Sequence, residues 1–147
     1  MKTFTQFNEL ANKPYKLSSL QSRKGGSEYE YEFRTDQKLD GVITFAGSEH
    51  IDDYDEMQWK ISFTIGGYDD ETGKGDEFRI FATVIQAIRE FIKKEDPKYM
   101  TLIAQKTSGA KGRESLYARL LKKYMGSKYK ISANKDGEFT FFDIEKK

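Results

Sequence analysis

The sequence predicts one α+β domain, in which a single mixed, largely antiparallel sheet carries two main helices in the order β-β-β-α-β-α-β-β. Three stretches between residues 28 and 67 alternate apolar with polar side chains, which is typical of half-buried strands. Two later stretches repeat apolar residues every three or four positions, which is typical of helices that cover a core. A compact apolar run separates these two stretches, and two more strands follow the second of them.

The first three strands are expected at residues 28–34 (EYEYEFR), 41–47 (GVITFAG) and 57–67 (MQWKISFTIGG). Acids alternate with aromatic residues in the first of them, so we expect one face to be buried and the other to be solvated. Because the three strands are close in sequence, they predict an antiparallel meander. Residues 50–56 (HIDDYDE) are expected to be an acidic loop.

The first helix is indicated by an apolar stripe that ends before Asp96 and Pro97. The stripe consists of Phe81, Val84, Ile85, Ile88, Phe91 and Ile92. Residues 98–105 then suit a buried strand. The second helix is expected at residues 113–126. Its buried side is predicted to carry Leu116, Leu120, Leu121 and Tyr124. An Asp-Gly turn at residues 136–137 joins the two closing strands.

The N-terminal segment is expected to stand outside this domain. Residues 1–13 allow a short amphipathic helix that Pro14 ends, and residues 18–27 are predicted to form a flexible connector rich in Ser and Gly. The predicted division is therefore 1–27 for the helix and connector and 28–147 for the α+β domain.

Composition excludes several kinds of chemistry. The 147 residues include no cysteine and one histidine, His50, so we expect no thiol nucleophile, no Ser-His-Asp triad and no metal centre. No stretch approaches the roughly 20 apolar residues that cross a bilayer, so a soluble cytoplasmic protein with no membrane partner is expected.

The net charge of +1 hides an asymmetry along the chain. Residues 28–77 carry a net charge of −11, whereas residues 1–27 and 78–147 carry +4 and +8. Two interpretations stay open. The domain has oppositely charged surfaces, or its strands and helices each present a solvated charged face.

Two loops that precede the helices are candidates for anion binding. Residues 73–75 (Gly-Lys-Gly) come just before the first helix, whose N-terminus offers free N–H groups and about half a positive charge. Five carboxylates surround this loop, and Asp76 can itself cap the helix, so a capped helix after a glycine turn is the alternative. In the second loop Ser108, Lys111 and Arg113 are candidate anion donors, with a solvated loop as the alternative.

The order of elements resembles that of the GNAT (Gcn5-related N-acetyltransferase) family over residues 28–145. Gly73-x-Gly75 before one helix and Leu116-Tyr117 in the other carry the resemblance at the level of motifs. It implies a GNAT-like fold and an acyl-CoA-dependent N-acyltransferase that uses acetyl-CoA or another acyl-CoA. The substrate implied is a cationic amine, which the acidic strands would attract.

In GNAT proteins the glycine loop holds the coenzyme A pyrophosphate. The resemblance therefore implies cofactor-binding roles for Gly73, Lys74, Gly75 and Asp76. The family keeps Arg or Gln where this sequence has Asp70. This departure equally fits a relative that has lost the chemistry.

The resemblance also implies catalytic roles. Tyr117 would protonate the departing coenzyme A thiolate, which requires a phenol within hydrogen-bond reach of the sulfur. A core tyrosine with its hydroxyl at the edge is the alternative. Glu49 and His50, in the loop before the third strand, are the candidate general bases.

A second resemblance is to small tailed-phage proteins, carried by GDEFRIFATVIQAI (75–88) and by R-x-S-L-Y-x-R-L (113–120). The opening MKTFTQFNELA is also similar to N-terminal segments of phage proteins that are delivered into the head and trimmed after a glutamate, here Glu9. The alternative function is therefore a non-catalytic phage accessory or virion-associated protein that binds a phage or host protein. Such a protein is expected in the cytoplasm of the infected cell or packaged in the virion.

A third hypothesis is single-stranded nucleic acid binding. The second helix and the strand after it form a basic stretch in which Tyr117, Tyr124 and Tyr129 are interleaved. Because the acidic half of the chain opposes non-specific binding, nucleic acid is not the expected partner.

Overall fold

The computed structural model describes residues 14–18, 21–23, 28–36, 38–50, 53–65, 77–105, 113–137 and 139–147. Its elements are, in chain order, β1 (Gln21–Arg23), β2 (Glu28–Arg34), β3 (Asp40–His50), β4 (Asp53–Ile65), α1 (Glu77–Glu95), β5 (Tyr99–Gln105), α2 (Arg113–Met125), β6 (Tyr129–Asp136) and β7 (Phe139–Lys146).

The strands form one seven-stranded sheet in the order β1-β2-β3-β4-β5-β7-β6. Every neighbouring pair is antiparallel except β4 and β5, which are parallel and are joined through α1. The predicted α+β class, the mixed and largely antiparallel sheet and the order of the main elements are confirmed.

The predicted flexible connector contains a short strand instead. β1 pairs with β2 through Gln21, Ser22 and Arg23. Just before it, Ser18 donates its N–H to the Glu32 carbonyl at 2.8 Å, and the Ser18 hydroxyl accepts the N–H of Glu32 at 2.9 Å. These bonds place the chain alongside the free edge of β2, which explains why a sequence without strand propensity extends the sheet.

The predicted acidic loop at residues 50–56 is also wrong for most of its length. β3 continues to His50, and β4 already begins at Asp53, which lies opposite His50 in the ladder. Acidic residues have low strand propensity, but pairing against β3 outweighs that preference here. The register shifts between Glu49 and His50, which marks a β-bulge at this end of the hairpin.

Both helices pack on the same face of the sheet. The Phe91 ring on α1 stacks on Phe45 at 4.3 Å and meets Trp59 edge-on at 4.7 Å and Tyr29 at 5.6 Å, measured between ring centroids. The predicted stripe on α1 is confirmed, with every member buried except the half-buried Ile92. Such aromatic pairs add about 0.5–1.5 kcal/mol each beyond the area that they bury.

On α2 the predicted burial of Leu120 and Leu121 is confirmed, and Tyr117 and Met125 are buried with them. Tyr124 is half-buried, and the side chain of Leu116 lies outside the described residues. The other face of the sheet carries alternating polar residues, and no helix among the described residues covers it.

Two turns end their elements with backbone in the left-handed region. Asp96, at φ 46°, terminates α1 and donates its N–H to the Ile92 carbonyl at 2.9 Å. Gly137, at φ 61°, makes the predicted turn between β6 and β7. Neither α1 nor α2 is apolar over a length that would cross a bilayer.

The segment before residue 28 contributes to the core where it is described. Tyr15 is 5 % exposed, and its backbone N–H donates to the Thr83 hydroxyl on α1 at 2.8 Å. Its ring stacks on Phe33 at a centroid distance of 5.9 Å. The predicted boundary at residue 28 stays a prediction, as does the helix at residues 1–13, which lies outside the described residues.

Candidate functional site

The parallel strands β4 and β5 are paired at one end and separate at the other. Their register covers only four residue pairs, from Gln58 opposite Tyr99 to Ile61 opposite Leu102. Beyond that point β4 runs on to Ile65 while still paired with β3, and β5 runs on to Gln105 while still paired with β7. We call the opening between residues 62–65 and 103–105 the slot.

The slot has the hydrogen-bonding character of a strand edge. Successive residues of an extended strand direct their backbone N–H and C=O groups alternately to its two sides, and in the slot one side of each strand has no neighbouring strand. Such groups need water or a ligand as partner. An extended ligand that itself carries amides can supply a partner for both walls.

An aromatic row lies beside the slot on the helix-covered face. Phe63 belongs to β4, two residues beyond the last β4–β5 pair, and meets Phe81 of α1 at a centroid distance of 6.4 Å. Phe81 in turn stacks face to face on Tyr117 of α2, at 3.8 Å and an interplanar angle of 4°. The predicted acid Tyr117 is therefore connected to the slot by two ring contacts, and it is 7 % exposed.

The N-termini of both helices follow the separating ends of these strands. α1 is the next element after β4, and α2 is the next element after β5. The positive end of each helix dipole therefore lies on this side of the sheet, where a polyanion would be stabilised.

The predicted phosphate loops themselves cannot be placed. Gly73, Lys74, Gly75 and Asp76 lie outside the described residues, as do Ser108 and Lys111. Arg113 is the first residue of α2. Their roles stay predictions.

The candidate bases are not brought to the slot. The backbone of Glu49 lies opposite Met57, and that of His50 lies opposite Asp53, at the far end of the β3–β4 hairpin. At about 3.3 Å per residue, the six residues from Met57 to Phe63 span about 20 Å. The described backbone thus places Glu49 and His50 at the hairpin end of β3, away from Phe63 and the slot. Their roles as general bases stay predictions, as does that of Tyr117 as the acid.

The aromatic residues of the basic stretch are not exposed for base stacking. Tyr117 and Tyr129 are 7 % and 2 % exposed, and the Tyr129 hydroxyl donates to the Pro97 carbonyl at 3.0 Å. Tyr124 alone of the three is half-buried. An aromatic platform for single-stranded nucleic acid is not formed by these residues.

Comparison with solved structures gives a distant structural likeness. No protein-family model and no curated protein matches this chain. A solved structure, described as "Crystal structure of the NatC complex bound to Gag peptide and CoA", matches with a TM-score of 0.39 and 12 % sequence identity. The match covers 98 % of this chain and 79 % of that one. The slot, the helix N-termini and the aromatic row are the features of the structure that bear on function.

Proposed function

We propose that this chain binds an acyl-CoA in the slot and acts as an acyl-CoA-dependent N-acyltransferase of the GNAT type. The observation that carries the proposal is the separation of β4 and β5 beyond Ile61 and Leu102. The pantetheine arm of coenzyme A is extended and carries two amides, so it matches a gap between two strand edges. The helix N-termini on the same side suit its pyrophosphate.

Tyr117 is the proposed acid. The amine nitrogen attacks the thioester carbonyl, the carbon–sulfur bond breaks, and the thiolate takes a proton from the Tyr117 hydroxyl. The proton that the nitrogen loses passes to solvent, and the tyrosine regains one from solvent. The products are the N-acylated amine and free coenzyme A, so protons and electrons balance.

The open face of the sheet suggests where a cationic amine is attracted. Cross-strand register aligns Glu32 with Val42 and Thr64, and Thr64 borders the slot. At about 4.8 Å per strand, Glu32 lies about 10 Å from the slot. This carboxylate supports attraction of the amine to the slot.

Binding is tested by calorimetry and thermal shift with acetyl-CoA. Saturable binding is expected, and Gly75→Asp should abolish it by adding a carboxylate to the predicted pyrophosphate loop. Ser48→Asp, which adds the same charge at an exposed site on β3, is the control and should bind normally. Absence of binding at millimolar acetyl-CoA in a folded sample contradicts the proposal.

Turnover is tested by following free thiol release with a panel of polyamines and lysine peptides. Tyr117→Phe keeps the ring and should still bind acetyl-CoA, but its rate should fall by about 10²–10⁴-fold, the usual contribution of a positioned acid. Unchanged turnover in this variant would show that Tyr117 is not the acid.

The second candidate function is a non-catalytic phage accessory or virion-associated protein. Separation of Glu49 and His50 from Tyr117 favours it, as does Asp70 in the predicted pyrophosphate loop. This function predicts binding of a phage or host protein and no thiol release with any amine. Mass spectrometry of the protein from virions tests the associated trimming, since a chain that still begins at Met1 contradicts cleavage after Glu9.

A further inference from the structure

A second cavity lies away from the slot, between the C-terminal halves of the two helices. Its volume is about 280 Å³. It is lined by Arg89, Ile92 and Lys93 of α1, by Tyr124 and Met125 of α2, and by Ser127, Lys128 and Tyr129 after α2. Arg89 is eight residues beyond Phe81 on α1, which at 1.5 Å per residue is about 12 Å along the helix from the aromatic row.

Among the described residues, the lining of the cavity includes three cations and no carboxylate. Arg89 and Lys93 reach the cavity from successive turns of α1, and Lys128 reaches it from the segment after α2. All three side chains are exposed. Within the described part of the chain, no carboxylate lies within ion-pair distance of any of the three. Their mutual repulsion is therefore uncompensated by a protein group at contact distance.

Asp96, the acid that directly follows α1, forms an ion pair with Lys146. The Lys146 ammonium donates to its carboxylate at 2.7 Å, and this hydrogen bond is the main cause that lowers the Asp96 pKa. Lys128 adds a smaller Coulombic contribution in the same direction. Asp96 does not line the cavity.

Helix stability does not explain this arrangement of charge. A cation in the last turn of a helix interacts well with the dipole, and this accounts for Lys93. Arg89 lies six residues before Glu95, where α1 ends, and Lys128 lies three residues after Met125, where α2 ends. The dipole effect is confined to the terminal turn, so it does not account for either residue.

The rest of the lining is apolar or can form hydrogen bonds. Met125 is 3 % exposed, and Ile92 and Tyr124 are half-buried. The Arg89 guanidinium lies 6.0 Å from the centroid of the Tyr124 ring. Ser127 adds a hydroxyl to this wall. A ligand with an anionic head and a short apolar body would meet complementary groups in this lining.

We infer that this cavity binds a small organic phosphomonoester, with the phosphate on Arg89, Lys93 and Lys128 and the organic group against Tyr124, Ile92 and Met125. Arg and Lys are the residues that bind phosphate oxygens through charge-assisted hydrogen bonds. The volume lies just below the roughly 300–1,000 Å³ of drug-sized ligand sites, so the ligand is much smaller than coenzyme A.

Isothermal titration calorimetry with phenyl phosphate tests the inference directly. Saturable binding is expected, at least about tenfold tighter than for inorganic phosphate, because a buried phenyl ring adds a hydrophobic contribution of that order. Phenol alone, without the anion, should bind at least about tenfold more weakly than phenyl phosphate, because charge-assisted bonds contribute as much. Equal affinity for all three probes would contradict a site with two complementary halves.

Charge-removing variants locate the binding. Arg89→Gln combined with Lys128→Gln should weaken phenyl phosphate binding by at least about tenfold, since two charge-assisted bonds are lost. Lys130→Gln is the matched control, because Lys130 is exposed on the other face of β6 and should change affinity less than about twofold. The inference is overturned by undetectable binding at 10 mM probe or by an equal loss in the control. Circular dichroism melts confirm that the variants are folded.

Discussion

The Phe81 and Tyr117 rings stack face to face, with centroids 3.8 Å apart and planes inclined by 4°. Phe81 is fully buried on α1, and Tyr117 is 7 % exposed on α2. This contact joins the two helices that follow β4 and β5 at the end where those strands separate. The same pair therefore stabilises the helix layer and links Tyr117, through Phe81, to Phe63 at the slot.

The stacked pair predicts a graded loss of stability. Phe81→Ala leaves a cavity and should lower the free energy of unfolding by about 3–5 kcal/mol. Tyr117→Phe retains the stack and should cost about 1 kcal/mol, the usual net value of one hydroxyl hydrogen bond. Urea unfolding at neutral pH measures both. Equal losses in the two variants would show that the ring contact contributes little.

Close packing at Gly41 predicts that no larger residue is tolerated there. A Cβ atom at Gly41 would lie 2.3 Å from Cζ of Phe33, well inside van der Waals contact. Phe33 is 5 % exposed and is stacked on Tyr15, so a shift of its ring would disturb that contact. Gly41→Ala should therefore lower stability by about 1–3 kcal/mol, the usual cost of overpacking.

A double-mutant cycle checks this cause. Phe33→Leu shortens the side chain, so Gly41→Ala should cost markedly less in the Phe33→Leu background than in the natural chain. Chemical denaturation of the four proteins gives the coupling. Additive losses would rule out the Gly41–Phe33 clash as the origin.

Tyr31 predicts a loss of stability at high pH. The pKa of Tyr31 is raised to about 12, mainly by burial of the phenol and to a smaller extent by the negative charge of Glu90. Because the folded pKa lies above the unfolded value of about 10, the contribution of this group is fully present below pH 10 and is lost as pH rises towards 12. Thermal melts between pH 9 and 11 should show a smaller decline for Tyr31→Phe. An identical decline in both proteins would contradict the assignment.

Acidic residues of β2 predict a kinetic effect that rests on the proposed function. Glu30 and Glu32 align across the sheet with Ser62 and Thr64, the first and third residues of the β4 wall of the slot. At about 10 Å in water each charge contributes about 0.4 kcal/mol, or twofold, to the attraction of a cation. Replacing both by Gln should raise KM for a cationic amine about fourfold with kcat unchanged.

High ionic strength and a substitution far from the slot provide the controls for this effect on KM. The difference in KM should shrink at high ionic strength, because Glu32 is exposed and Glu30 is half-exposed. Glu145→Gln on β7, opposite Tyr99 at the closed end of the β4–β5 pairing, should leave KM unchanged. A fall in kcat with constant KM would assign Glu30 or Glu32 to the chemical step instead.

Much of the fold could be predicted from local patterns. The alternation in residues 28–34 and the stripe from Phe81 to Ile92 each report which face is buried, and the structure confirms both. β1 could not be predicted, because Gln21–Arg23 contains no apolar residue and therefore no alternating pattern. It joins the sheet only through backbone pairing with the edge of β2. The early start of β4 was missed for a related reason, since strand pairing outweighed the low propensity of its acids.

Less of the candidate site than of the fold could be predicted from the sequence. Tyr117 was found by its place in a motif, but its stacking on Phe81 depends on how two helices pack. The slot depends on where the β4–β5 register ends, and no local pattern records that limit. Arg89 and Lys93 carry a detectable signal, two cations one helical turn apart, but Lys128 joins them only in three dimensions.

Nuclear magnetic resonance titration of the labelled protein with acetyl-CoA tests the central claim most directly. If the cofactor lies between β4 and β5, the amide signals of Ser62–Ile65 and Ile103–Gln105 should shift most and saturate together, while those of Gln58–Ile61 should move little. No shift at millimolar acetyl-CoA, or shifts confined to Arg89, Lys93 and Lys128, would contradict the account.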